Sequence, residues 1–208
     1  MPETDERRIA RTTAIRNRDA DRLESALGKL PRPVKQPGLV VLVGLPGSGK
    51  SHFARELAAR IPAAILDSDA LRRVLFANPQ HTQQEHGRLF PAIHVLMDSL
   101  LSRGNSVIVD ATNLKESSRR PYYEIAGRHA AKLAIVRVWA PRRVVRKRLE
   151  ARDAGHNPAD RSTATLEIHE AMRKDYDPIR RRHLTVNTSE DTSASVDRIL
   201  RELQAVQR

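Results

Sequence analysis

Gly44-Leu45-Pro46-Gly47-Ser48-Gly49-Lys50-Ser51 matches G-x-x-x-x-G-K-[ST] at every fixed position. Leu39-Val40-Val41-Leu42-Val43 precedes it and reads as a fully buried parallel strand; Ser51 to Ala59 follows and reads as a helix. A strand, a glycine-rich loop and a helix in that order point successive backbone N–H groups into one anion-sized hollow. The helix N-terminus adds its positive dipole end at the same place. At this spacing Lys50 reaches the β- and γ-phosphates of a nucleoside triphosphate, and the Ser51 hydroxyl ligates Mg²⁺. Gly44 to His52 is therefore the expected ATP site. A mere turn would not need those flanks.

Beyond residue 37 short apolar strands alternate with helices. Ala63 to Leu66, Ser106 to Val109, Leu133 to Trp139 and Leu184 to Val186 join Leu39 to Val43 as five expected strands. The helix expected at about Gln83 to Arg103 carries Leu89, Ile93, Leu96, Met97 and Leu100 as a buried stripe, and Gly104 closes it. Repeated β-α units of this kind imply an α/β P-loop NTPase fold: a five-stranded parallel sheet covered by helices on both faces. Ligands of such sheets sit beyond the carboxyl ends of the strands, which is where the remaining motifs fall.

The second strand runs into Asp67-Ser68-Asp69-Ala70-Leu71-Arg72. Asp67 and Asp69 point the same way in an extended segment, so spacing does not choose between them. Asp69 also stands where an N-cap would, before a helical stretch at Ala70 to Phe76. Its functional reading is a carboxylate that accepts the proton of an attacking hydroxyl. Arg72, one turn on, would face the same cavity. The third strand ends at Asp110-Ala111-Thr112-Asn113. A carboxylate after four apolar residues is costly to bury without a cation or donors. Asp110 is accordingly expected to hold a water of the Mg²⁺ shell or to order the P-loop, with Thr112 and Asn113 lining the acceptor side.

After the fourth strand, residues 142–175 read as a lid: a basic helix, a loop at Asp153 to Pro158, and a second helix. Arg148 and Arg152 share one face of the basic helix and would close over phosphates. The plainer reading is a solvated basic face.

The P-loop, the Asp69-x-x-Arg72 pair, the Asp110-Ala111-Thr112-Asn113 box and Arg148-x-x-x-Arg152 occur here in the order found in the polynucleotide 5′-hydroxyl kinase branch of P-loop kinases. The sequence resembles that branch over about residues 38 to 190. The resemblance implies ATP and Mg²⁺ held by Lys50 and Ser51, Asp69 as general base, and Arg72 on the acceptor and phosphate side. It implies Arg148 and Arg152 gripping the ATP phosphates, and the 5′-hydroxyl of a nucleic-acid end as acceptor. A sugar, nucleoside or antibiotic-like alcohol is the second acceptor class. A nucleotide-dependent switch is a third reading, against which the Asp69-x-x-Arg72 pair argues.

Residues 1–37 form an expected arm, separate from a 38–208 domain, and have no counterpart in that resemblance. A helix is expected from Asp19 to Leu30, before Pro31, Pro33 and Pro37 break it; the first 18 residues are apolar-poor and expected disordered or weakly helical. The chain has 208 residues, no cysteine and a formal charge of +12. The absence of cysteine rules out disulfides and suits a reducing compartment, and no apolar run is long enough for a membrane span; the expected setting is the cytoplasm. The charge favours phosphate-bearing partners. Aromatics at 3% are too few for long stacking platforms.

Overall fold

The computed structural model describes residues 5–153 and 165–204, with nothing said of the side chains of Arg152 and Asp153. In chain order the elements are α1 (Asp5–Ala26), β1 (Gly38–Val43), α2 (Lys50–Ala58), β2 (Ala63–Asp67), α3 (Ser68–Leu75), α4 (Gln83–Ser102) and β3 (Ser106–Asp110). Then come α5 (Glu116–Arg128), β4 (Lys132–Trp139), α6 (Arg142–Asp153), α7 (Leu166–Arg173), β5 (Leu184–Asn187) and α8 (Ser193–Gln204). The five strands make one parallel sheet in the order β2-β3-β1-β4-β5. The expected α/β P-loop NTPase fold is what forms.

Period-two alternation divides the sheet between two cores. Leu39, Val41, Val43, Val107, Val109 and Ile135 face α1, α4 and α5. Val40, Leu42, Ile108, Ala134, Val136 and Val138 face α2 and α8, where Phe53, Leu57, Val196 and Ile199 are buried. All six residues of β1 are buried, the mark of a central strand covered on both sides. The stripe on α4 is strong enough to carry the helix through Pro91. Gly104, at φ +80°, ends it: its N–H bonds Leu101 O and the Asn105 N–H bonds Leu100 O, a pairing that needs a left-handed residue at this point.

The arm differs from expectation. α1 begins at Asp5, not Asp19, and its second half belongs to the main core, with Leu23 fully buried and Ala20 nearly so. Asp19, 2% exposed, accepts two hydrogen bonds from the Arg88 guanidinium of α4 at 2.6 and 2.8 Å. Arg22 reaches the Val74 carbonyl at the end of α3. Tertiary packing of this second half nucleates the helix, and arginine and alanine, good helix formers, propagate it back to Asp5. No helix among the described residues is long and apolar enough to cross a membrane.

Candidate nucleotide site and its surroundings

Residue 44 starts the P-loop where only glycine fits. A Cβ there would stand 2.3 Å from the Val138 carbonyl oxygen and 2.8 Å from Ser48 Oγ. The Gly44 N–H bonds Thr112 O at 3.0 Å, so the loop after β3 holds the start of the P-loop. Lys50 Nζ donates to Leu45 O at 3.1 Å, bridging the loop's two limbs.

β2 and β3 end in register, Asp67 beside Asp110, both on the face that carries α2. Asp110 is 4% exposed, accepts a hydrogen bond from Ser51, and has one carboxylate oxygen, Oδ2, buried without a partner. Burial pushes its pKa up to about 6; the Lys50 charge and the Ser51 hydrogen bond oppose this, while Asp67 and Asp69 reinforce it. A hydroxyl beside a buried, incompletely bonded carboxylate at the head of a P-loop helix is a donor set suited to a hard divalent cation, and it fits Mg²⁺. No group of three or more His, Cys, Asp or Glu among the described residues could hold a metal alone, so phosphate oxygens would have to complete the shell.

The paired aspartates of β2 divide their tasks. Asp67 is the N-cap of α3, its Oδ1 accepting from the N–H groups of Asp69 at 2.9 Å and Ala70 at 3.1 Å. The cap is thus Asp67 and not Asp69, because β2 runs one residue further and α3 starts at Ser68. Asp69 lies in the first turn of α3, close enough for Asp110 to sense its charge.

Arg72 is 2% exposed and pairs with Glu85 Oε2 at 3.1 Å, with His86 Nε2 at 3.4 Å. Glu85 also accepts from the N–H groups of Gln80 and His81, at 2.8 Å each. These bonds, the Gln80 N–H foremost, hold its pKa below the usual carboxylate value. The pair ties α3 to α4. Asn113, buried at φ +49°, donates Nδ2–H to Leu42 O at 2.8 Å and so fixes the loop after β3 to β1. Thr112 is half-buried. Arg119, fully buried, donates to the carbonyls of Asn113, Leu114, Asp177 and Pro178, joining that loop to the chain leaving α7.

On the other side of β1, Arg148 donates to Thr188 O at 2.7 Å and Thr188 Oγ1 at 2.9 Å, and approaches Gly47 O at 3.4 Å. Partial burial pulls its guanidinium below the ordinary value. The Thr188 hydroxyl donates to Ser48 O at 2.6 Å and its N–H to Trp139 O at 2.9 Å. This one residue joins the P-loop, β4 and the first lid helix. His52 is exposed on the outer side of α2, 4.0 Å from Glu56. The Arg152 side chain and residues 154–164 of the expected lid lie outside the described residues.

The second lid helix meets the P-loop from behind: buried His169 stands 2.7 Å from Pro46 O through Nδ1, which must therefore donate. Between α7, β4 and the P-loop lies a cavity of about 560 Å³, lined by Ser48, Arg137, Trp139, His169, Arg173 and Tyr176 among others. It opens where the core face of β4 changes character: Leu133 and Ile135 pack inward, but Arg137 and Trp139, next on that face, are exposed. Thr188 and His169 were not singled out from sequence. Thr188 had a signal, a polar residue just past the carboxyl end of a strand; His169 had none.

Residues 39–179 match the AAA domain family, AAA_33, over well more than half of the chain. The chain belongs to the AAA domain family. Solved structures share its fold. Kti12 of Chaetomium thermophilum, crystallised with ADP-AlF3, is 19% identical, with 81% of this chain and all of that one covered at a TM-score of 0.65. The APS kinase CysC of Mycobacterium tuberculosis, in complex with AMPPNP and APS, is 20% identical, covering 84% and 100% at 0.61. A gluconokinase of Sinorhizobium meliloti is 22% identical, covering 82% and 93% at 0.57. At such identities the likeness to these structures extends to the fold and no further.

Proposed function

We propose that this AAA domain protein is an ATP-dependent kinase that transfers the γ-phosphate to an acceptor hydroxyl. The observation that carries the reading is the grouping of Lys50, Ser51 and Asp110 with an Asp69 carboxylate that the helix cap leaves available. Solved structures of the same fold include a gluconokinase and an APS kinase, in agreement with phosphoryl transfer. Ser51 and Asp110 would hold Mg²⁺, which when bound neutralises charge on the β- and γ-phosphate oxygens. Lys50 leaves Leu45 O for the β- and γ-phosphates. Asp69 accepts the proton of the acceptor hydroxyl; the hydroxyl oxygen bonds to the γ-phosphorus as the bond to the β,γ-bridging oxygen breaks, leaving ADP. Arg148, with Arg152 four residues on, neutralises charge on the transferring group.

For the acceptor we propose the 5′-hydroxyl of a nucleic-acid end. The +12 charge supports it, as does the packing of an arginine-rich α1 against α3, the helix that carries Asp69. One observation favours the small-alcohol reading: Arg72 is closed off by Glu85, so it does not extend the site toward a long substrate. A chain without cysteine fits a reducing cytoplasm. The test is γ-labelled ATP with 5′-hydroxyl oligonucleotides and, separately, with sugars, nucleosides and amino alcohols. Label on the oligonucleotide 5′ end is expected. Label on a small alcohol alone moves the acceptor, and label on neither overturns the kinase.

A further inference from the structure

The first half of α1 buries little against the rest of the described residues. From Asp5 to Arg18 every residue is exposed except half-buried Thr13, and the isoleucines Ile9 and Ile15 are 63% and 45% exposed. This stretch extends about 20 Å. Helices of this length are marginal alone in water, and one that is polar nearly all round has no fold of its own to serve. Its charge is one-sided: Arg7, Arg8, Arg11, Arg16 and Arg18 against Asp5 and Glu6, five minus two, or +3.

The arginines are also ordered. At 3.6 residues per turn, Arg7, Arg11 and Arg18 fall within about 40° of one another, on the side turned away from buried Ala20 and Leu23. They span about 16 Å along the axis, close to five phosphate steps of one strand in a duplex. The bidentate Asp19–Arg88 pair and the Arg22 bond to Val74 O fix this stripe to α4 and α3. It is a cationic edge on the helix that packs against α3 and α4.

We propose that the overhanging half of α1 is a docking rail for the phosphate backbone of a nucleic-acid strand. It rests on the reading of nucleic acid as the partner, and extends it to a second contact surface outside the catalytic site. The stretch contains no aromatic residue to stack bases, so the rail positions a strand without reading its sequence.

The test is fluorescence anisotropy with the full chain and a 5′-phosphorylated single-stranded oligonucleotide, which offers no 5′-hydroxyl. Salt is varied between about 50 and 200 mM. The variant Arg7→Gln/Arg11→Gln/Arg18→Gln should bind about tenfold or more weakly at the low end, with a slope of log K against log salt shallower by about 2. Arg7→Lys/Arg11→Lys/Arg18→Lys should keep most of the binding. Arg198→Gln/Arg201→Gln, on α8 across the sheet, should change neither quantity. Wild-type binding by the triple Gln variant overturns the rail, and so does an equal loss in the α8 pair, which would mean diffuse charge. A wild-type dimer that the triple Gln variant loses, with oligonucleotide affinity unchanged, gives the overhang to a second copy and also overturns it. Because the probe accepts no phosphate at its 5′ end, this result is independent of whether label enters a 5′-hydroxyl, and each reading can fail alone.

Discussion

Asp67 Oδ1 accepts the backbone N–H of Asp69 at 2.9 Å, so the first of two neighbouring carboxylates fixes the position of the second. Two changes at this pair should separate. Asp67→Ala removes the cap of α3 and should cost about 1 kcal/mol of stability, measured by denaturant unfolding. Asp69→Asn should leave stability and ATP affinity unchanged and lower phosphoryl transfer by about two to four orders of magnitude. If Asp67→Ala instead abolishes transfer in a folded protein while Asp69→Asn is mild, the base has been assigned to the wrong residue.

Lys50→Ala should eliminate transfer, since it removes the charge held between the limbs of the loop. Stability should fall by about 1 to 3 kcal/mol, because a charged donor to Leu45 O is lost and buried Asp110 loses a compensating charge. Single-turnover assays with γ-labelled ATP read the first quantity and thermal unfolding the second; normal turnover would remove the site.

Arg148 should show a mixed phenotype. Its fork holds both oxygens of Thr188, which in turn holds Ser48 O. Arg148→Lys keeps the charge and loses the fork, so ground-state ATP binding should largely survive while kcat falls. Thr188→Val should reproduce part of that loss with no arginine altered. Unchanged kcat in both variants would reduce the contact to a structural clasp.

Arg72 and Glu85 make a buried pair whose members should not be removed singly. Arg72→Ala takes the cation from Glu85, leaving it the Gln80 and His81 N–H groups, and should lower stability. The double variant Arg72→Met/Glu85→Leu should recover much of that, although the Gln80 and His81 N–H groups lose their acceptor. Chemical denaturation of the three proteins checks the coupling. A double variant as unstable as Arg72→Ala would mean that those two N–H groups dominate.

His94 provides a pH dependence. It packs edge-on to Tyr122, its Nε2 has no hydrogen-bond partner, and burial, with Arg16 nearby, lowers its pKa to about 4. The unfolded chain therefore binds this proton more readily than the folded one between pH 6.5 and about 4. Its contribution is fully present above pH 6.5 and is lost as pH falls, by roughly 3 kcal/mol in all. His94→Phe should flatten that part of the stability profile. A profile as steep as the wild type's would place the acid sensitivity elsewhere.

The P-loop, the five strands and the long α4 were legible because each depends on local pattern: glycines in fixed places, apolar runs and a 3.6-residue stripe. The positions of Lys50 and Ser51 followed from the glycine-rich pattern and that of Asp110 from a strand end. Long-range partners left no such trace. Nothing near Arg72 in sequence announces that Glu85 will close it off, and the Asp19–Arg88 pair joins residues 69 positions apart. The capping role went to Asp67 because DSxA extends the strand by one residue, a boundary shift that propensity does not resolve. Residues 5–18 were expected weak because their sequence alone is weak; packing further along the same helix decides them.

That same Asp19–Arg88 pair orders events during synthesis. α1 is made before α4, so until α4 emerges the carboxylate it must bury has only Arg22, 4.0 Å away on the same helix, and much of the sheet is still to come. The docking of α1 joins residues 69 positions apart, so the closure carries the entropy cost of a long loop. A shortened chain starting at residue 38 would leave Arg88 and the apolar seat of Leu23 open to water, and a nascent chain passes through that same exposed state each time it is made.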